Sequence, residues 1–501
     1  MKKLFGFIFG LIIIAGIMAG IGAGAYYWSG SLAKESFEKS MQMTTGDQAV
    51  TYTITKYNQG LFDSTANAQV TLDPTKLNSG LSNQAVPFDK PFTIELEHTI
   101  YHGPFAFKAP NFDPAKPVAA YIKTKINTGA NKDLKPLITQ LWKDNPLKIN
   151  SSVSFSGLVE TTIEIAPIDF TSPTNMKVKW TGAKSIVSHD TSTNSFTSAI
   201  DAGGVSIEED DNFALINGIK GKASGSFEAG NFMNSKAGYS VDSIMLEANT
   251  SSPDKMIKGN LNQLSVKAGN DIKAKELTSF INISAKDAEF NGDKYGPAEF
   301  QLDVRKIDAE AVKALQKDLE AAKAEVAKQG LPPEAAMFMA QQKLMETLPK
   351  LLKLGPEIEI SKLELNTPQG KVEGYSKISL DLGDKQVPAN PMELIPMIAI
   401  NTKISAPAKL VEMILAVDAK KDIKRDLSMS GEIATPEQIE EMAMNKVNAQ
   451  IEAVTAQNAI TRSGDNLIGN YRLKQGVLNL NGMEIPIEQL IGMMMQGQPP
   501  K

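Results

Sequence analysis

Twenty-five consecutive residues, Leu4 to Trp28, carry no charge and are almost wholly apolar. As a helix rising 1.5 Å per residue, this run is about 37 Å long, more than the roughly 30 Å of bilayer hydrocarbon. Tyr26, Tyr27 and Trp28 close it, residue types that settle at a lipid–water boundary. Lys2 and Lys3 precede it and hold the N-terminus in the cytoplasm, which places the remaining chain on the far side of the membrane. The competing reading is a cleavable signal peptide, with Ala23-Gly24-Ala25 as the small-x-small cleavage site. The run exceeds the roughly 7–15 apolar residues of a signal sequence, and cleavage would leave the aromatic belt as a new N-terminus. Residues 1–30 are therefore read as a retained transmembrane anchor.

Within it, Gly6 and Gly10, and then Gly16, Gly20 and Gly24, recur every fourth residue. Such glycines share one helix face and let two backbones approach closely, which predicts self-association as a helix pair. Glycine is also common in membrane helices for no such reason.

The 501 residues are enough for two or three ordinary domains or one large β unit. With 22% charged and 42% hydrophobic residues the chain is of globular rather than disordered type. It has no cysteine, which excludes disulfides, thiolate metal sites and cysteine nucleophiles. The net charge of −5 and only four arginines, Arg305, Arg425, Arg462 and Arg472, argue against nucleic acid as a partner.

Residues 31–48 read as a stalk, with Leu32, Phe37 and Met41 on one helical face. From residue 49 to 306 the period is two, and the chain reads as a β-rich body. Val50–Lys56 is a strand, Asn58–Gly60 a turn and Asn67–Leu72 the returning strand. Phe92–Tyr101 follows, with Phe92, Ile94, Leu96, His98 and Ile100 on one face, until Gly103-Pro104 breaks the ladder. Asp133–Lys143 has a helical pattern. Many short strands come after it, with Ala202-Gly203-Gly204 and Asn291-Gly292-Asp293 read as turns.

Residues 307–355 form a helical hairpin broken by Gly330 and Pro332-Pro333, its apolar stripes expected to pack on the sheet. Residues 356–501 return to the body. They comprise strands at Glu357–Leu365, Lys371–Leu382 and Ile398–Ser405, helices at Pro407–Asp418 and Thr435–Ile460, and a closing Asn481-Gly482 hairpin. Ile487–Met495 is read as a last short helix. The expected fold class is mainly β (α+β): an N-terminal transmembrane helix and an extended antiparallel body with an inserted αα-hairpin and late helices.

Chemistry-bearing motifs are few. His98 and His102 are four apart, but on a strand that spacing separates their Cα atoms by about 14 Å, too far for one zinc. His189 lies in a polar, turn-like Ser188-His189-Asp190. Glu208 to Asn212 is an acidic turn without EF-hand spacing, read as a solvated hairpin tip. No hydrolase elbow, phosphate loop, zinc helix or dinucleotide motif is present, so no catalytic residue, cofactor or metal is expected.

At three points the chain resembles the YdgA-like bacterial proteins of unknown function. These are the N-terminal helix followed by Tyr57-Asn58-Gln59-Gly60-Leu61-Phe62, the strand ending in His102-Gly103-Pro104-Phe105, and the late Asn481-Gly482 hairpin with Glu488 and Leu490. The resemblance implies anchoring in the inner membrane of a Gram-negative bacterium, a periplasmic body and homodimers. It assigns no catalytic residues. Tyr57, Gly60, Phe62, His102, Gly103, Pro104 and Phe105 carry over as pattern residues with a structural role, and a pocket at His102 is the functional alternative.

The leading expectation is a non-enzymatic envelope scaffold, dimeric and acting through binding, with lipid or another envelope protein as its partner. The first alternative is a lipid carrier resembling AsmA-like proteins, whose long sheets curl into an apolar trough. It requires one continuous, solvent-open apolar sheet face. The second is an envelope hydrolase using paired carboxylates.

Overall fold

The computed structural model describes residues 50–60, 63–73, 91–102, 109, 118–127, 135–142, 146–173, 175–228, 231–249, 256–329, 333–382, 387–388 and 391–489. The expected anchor, its five glycines and the stalk lie outside the described residues, as do Leu61, Phe62, Gly103, Pro104, Phe105, Leu490 and most of the last short helix. Among the described residues no helix is long and apolar enough to cross a membrane. The chain is mainly antiparallel β and divides into two compact units, with the boundary between Asn260 and Leu261.

The first unit opens with β1 (Val50–Asn58), β2 (Asp63–Leu72), β3 (Phe92–His102), β4 (Val118–Ile126) and helix α1 (Lys135–Trp142). Then come β5 (Leu147–Ser154), β6 (Leu158–Ile165), β7 (Ile168–Thr171), β8 (Lys177–Trp180) and β9 (Ala183–Asp190). The long strands β10 (Ser195–Glu209), β11 (Asn212–Glu228) and β12 (Asn231–Asn249) close it. Neighbours pair in chain order from β1 to β6; β6 then takes β9, and β9, β10, β11 and β12 pair in turn. Strict alternation puts one apolar face inward: Val70, Ile94, Leu96, Ile100, Leu147 and Ile163 are all buried. The indole of Trp142 on α1 donates to the Ala166 carbonyl at 3.0 Å and fixes the helix at this sheet.

Two readings of this region need correction. Ala202-Gly203-Gly204 is no turn but a β-bulge within β10, with register breaks on either side of Gly203. Below the bulge β10 pairs with β9, and above it with β8, so the extra residues let one strand change partners. Gly203 sits at φ 57°, and a Cβ there would meet the Thr181 hydroxyl, which receives the Gly204 N–H at 2.9 Å. His189 lies in strand β9, not in a turn, opposite Val159 and Phe196. The polar Ser188 and Asp190 beside it reflect a half-exposed strand end.

The boundary falls within β13 (Met256–Lys273), whose larger part opens the second unit, followed by β14 (Glu276–Ala285), the small hairpin β15 (Asp287–Phe290) and β16 (Asp293–Tyr295), and β17 (Ala298–Asp308). Helices α2 (Ala309–Gln329) and α3 (Pro333–Leu351) precede β18 (Glu357–Thr367) and β19 (Gly370–Leu380). A 3-10 segment (Pro391–Met397) leads into β20 (Ile398–Pro407), and α4 (Ala408–Ser430) and α5 (Pro436–Ala456) follow. The unit ends with β21 (Thr461–Ser463), β22 (Asn466–Lys474), β23 (Val477–Leu480) and β24 (Met483–Pro486). Its main ladder runs β13–β14–β17–β18–β19–β20–β22–β23–β24.

Both helical pairs replace the tight turn of a β-hairpin. α2 and α3 link β17 to its neighbour β18, where Arg305 faces Glu357; α4 and α5 link β20 to its neighbour β22, where Pro407 faces Asn466. By the strand register, the two excursions leave from opposite ends of the ladder. The expected capping box at Thr435 is present: its hydroxyl accepts from the Gln438 N–H and the Gln438 side chain accepts from the Thr435 N–H. Helix α4 runs twelve residues past the expected Asp418, to Ser430, because Leu415, Ala419, Ile423 and Leu427 keep a four-residue period beneath a charged surface. The Asn291-Gly292 and Asn481-Gly482 turns form as read, with positive φ at both residues of each.

Candidate functional site

Three pattern residues meet around one hydroxyl. β2 places Ser64 inward at 2% exposure, and its Oγ lies 2.7 Å from Nε2 of His102 at the end of β3. The Gly60 N–H donates to the same oxygen at 3.3 Å, and the Tyr57 phenol also bonds to it. One donor and two acceptor sites are thereby all engaged. Gly60 is required by close approach, since a Cβ there would fall 2.0 Å from the Asp63 carbonyl oxygen. Burial raises the Tyr57 pKa, and the Ser64 bond opposes that shift. Burial lowers the His102 pKa, while the Asp63 carboxylate opposes it. A serine hydroxyl on a histidine nitrogen has the outline of a nucleophile and base. Ser64, however, is saturated and buried in a strand, so the arrangement ties the β1–β2 turn to the end of β3.

His98 points to the same inward face as His102 but bonds elsewhere. It is 1% exposed, and its Nδ1 lies 2.7 Å from Oγ1 of Thr124. Desolvation lowers its pKa to about 4, so the ring is neutral in the folded protein near neutral pH. The third pattern point is also a junction. The Asn481 side chain donates to the carbonyls of Asn458 at 2.8 Å and Ala459 at 3.1 Å, and accepts from the Asn470 N–H at 2.8 Å. It pins the closing hairpin to the end of α5. The acidic turn is a hairpin tip between β10 and β11, where Glu208 pairs with Lys177 at 3.1 Å and Asp211 accepts from Asn249.

A different feature stands out in the second unit. Its ladder carries one apolar face, built in rows: Ile281–Leu302–Ile360, Ile283–Phe300–Leu363, and Val304–Ile358–Ile378–Ile400–Leu473. A bulge at Ser361, whose hydroxyl donates to Asp303 at 2.7 Å, keeps Ile360 and Leu363 on that same face. From β14 to β20 the face crosses five strands, about 19 Å at roughly 4.8 Å per step, interrupted by the hydrogen-bonded pair Ser376–Thr402, and at β22 it is closed by the buried Leu467 and Leu473. From β14 to β20 none of its side chains is fully buried. Ile358 is 46% exposed, Ile378 42% and Ile404 40%.

The opposite face is charged. Arg305 pairs with Glu359 and, at 3.5 Å, with Asp303; Glu357 takes both Lys306 at 2.6 Å and Lys377 at 2.9 Å. Those two lysines hold the Glu357 carboxyl below the usual range, and Lys362 does the same for Glu299. The Glu357 and Glu359 side chains are only 15% exposed, less than the isoleucines on the other face. Sequence alternation found both faces but could not find that these two carboxylates are less exposed than Ile358 between them.

The αα-hairpin does not use its apolar residues as expected. α2 and α3 pack on each other and touch the sheet mainly near its β17 end, and Met337, Phe338, Leu344 and Met345 are exposed, Phe338 at 71%. The stripes fail to settle on the sheet because the hairpin leaves from the end of a ladder rather than crossing its face. α4 and α5 likewise bury Ala416, Ile423, Ala443 and Val447 between them and leave Ile414, Val417 and Met429 exposed.

The family described as "Bacterial protein of unknown function (DUF945)" matches residues 1–488. Protein YdgA of Escherichia coli (strain K12) is 23% identical over 477 residues, covering 90% of this chain and 88% of that protein. No solved structure matches the chain. With that match running through the apolar N-terminal sequence, both β-rich units and the closing hairpin, the chain belongs to the DUF945 family of bacterial proteins of unknown function.

Proposed function

We propose that this is an inner-membrane-anchored protein of the bacterial envelope, with its body in the periplasm, that binds lipid acyl chains without catalysing a reaction. The reading rests on one observation: the largely apolar face of the second unit runs across five strands, β14 to β20, with no side chain on it fully buried. Exposed apolar surface on this scale marks a binding face. Its open span of about 19 Å exceeds the roughly 15 Å of one bilayer leaflet, so an acyl chain fits along it. The uncharged run from Leu4 to Trp28 favours lipid as the occupant, because it would hold the face beside a membrane.

The test is extraction of the full chain in a mild non-ionic detergent, followed by mass spectrometry of co-purified lipid and titration with a fluorescent fatty acid. The double variant Ile358→Asp/Ile378→Asp should lose the fatty acid at least tenfold while melting near the wild type, since both positions are half-exposed. A wild type that carries no lipid and ignores the probe overturns the proposal. So does a dimer in native mass spectrometry that the same variant dissociates, because a second copy would then be the occupant. Protease reaching residues beyond Ser31 only after the outer membrane is opened tests the periplasmic placement.

A further inference from the structure

Three of the four arginines are committed to carboxylates. Arg305 pairs with Glu359 and Asp303, Arg425 with Asp422 and Asp426, and Arg462 with Glu412 at 3.2 Å. Arg472 has no such partner among the described residues. It projects from β22 on the charged side of the second unit's sheet, in the row Lys377–Asn401–Arg472–Asn479 across β19, β20, β22 and β23. That row floors a cavity of about 840 Å³, walled by the end of the 3-10 segment at Pro396 and Met397. The volume falls in the range of small-ligand sites, roughly 300–1,000 Å³.

The lining has a definite chemistry. Lys474 adds a second cation without a carboxylate partner among the described residues, while Lys377 is already held by Glu357 at 2.9 Å. Asn401 and Asn470 present side-chain amides that bond to no described residue, and Asn479 uses its Oδ1 for the Gly482 N–H at 2.8 Å, leaving its NH₂ available. The one carboxylate in the lining is Asp381. A guanidinium fork matches the paired oxygens of a phosphate, and carboxamides both donate to and accept from hydroxyl groups. A surface arginine placed only for solubility needs neither a concave wall nor three carboxamides around it.

We infer that this cavity binds a phosphate ester of a small polyol, with Arg472 gripping the phosphate and Asn401 and Asn470 reading the hydroxyls. The group can come from a soluble polyol phosphate or from a phospholipid headgroup. The inference rests on Arg472 and its carboxamides rather than on the isoleucines Ile358 and Ile378 of the acyl-binding proposal, although Ile400 and Leu473 of that apolar row also border the cavity.

The test is isothermal titration of the full chain in non-ionic detergent with three probes: sn-glycerol 3-phosphate, dihexanoyl phosphatidylglycerol and glycerol. Glycerol phosphate should bind and glycerol should not. Binding should weaken as salt rises. Arg472→Gln should weaken it about tenfold or more, Arg472→Lys less, and Asp381→Asn should tighten it. Arg472→Gln should melt with the wild type, since no described partner is lost. Lys474→Gln offers a second reading of the same site. Binding of the phosphatidylglycerol probe alone, with the same dependence on Arg472, identifies the headgroup as the source. Failure of both phosphates to bind, or binding unchanged in Arg472→Gln, overturns the inference.

Discussion

The two units solve the same local problem and reach opposite results. In the first, the inward residues of β2 to β6 are sealed, and Leu96 is 0% exposed. In the second, the matching residues of β17 to β20 stay half open. The strands look alike: Ile94, Leu96, His98 and Ile100 alternate as Ile358 and Ile360 do. The lesson is that alternation assigns a face its polarity, while the cover over that face depends on elements distant in sequence. A closed face stabilises the fold, whereas an open one retains free energy of burial that a ligand can still collect.

The comparison can be broken most directly by truncation. Leu96→Ala should cost about 2–5 kcal/mol in denaturant unfolding, the range for a sealed core site. Matching losses at Leu96 and at an open-face isoleucine would erase the distinction. The next effect is on pH dependence. His98 has its pKa lowered from 6.5 to about 4 in the fold, so the unfolded chain takes up the proton first as pH falls. Stability should therefore drop between about pH 6.5 and pH 4, by about 3 kcal/mol in all, and level off below. His98→Asn should flatten that slope in melting curves taken across the window.

Gly203→Ala sharpens the picture within the first unit, at the bulge where β10 changes partners. A side chain at φ 57° and against Thr181 should cost about 1–2 kcal/mol by thermal unfolding. The smallest effect is expected at Ile378→Ala, 42% exposed in the wild type, where less than about 1 kcal/mol should be lost. Fatty-acid binding should nevertheless fall, which would separate the role of the open face from stability.

Much of the architecture was legible from local signals. Asn291-Gly292 and Asn481-Gly482 specify their turns because both residues must take positive φ. Thr435-Pro436-Glu437-Gln438 specifies a helix start because each residue satisfies one requirement of the first turn. Ala202-Gly203-Gly204 was misread because glycine pairs serve bulges as well as turns, and only the partner strands distinguish them. The second half of α4 was hidden by Lys420, Lys421, Asp422, Lys424, Arg425 and Asp426, which crowd the exposed side of a helix whose apolar seam continues.

The candidate sites were less readable. Tyr57, Gly60 and His102 were picked out by resemblance, but Ser64, the atom they share, carries no signal in a strand of alternating small residues. Arg472 drew notice only as one of four arginines. That it alone of the four has no carboxylate partner among the described residues accords with strand order, which sets the acidic residues of β18 three strands away.

The helical excursions between β17 and β18 and between β20 and β22 have a consequence for how this fold can vary. Each starts and finishes on strands that are already bonded to one another, so its length hardly enters the closure entropy of the sheet. Either pair of helices can be exchanged for a short turn, or enlarged, with every hydrogen bond of the ladder left in register. The ladder thus offers two mounting points, one at each end of its strands, where new surface can be added without redesigning what lies between.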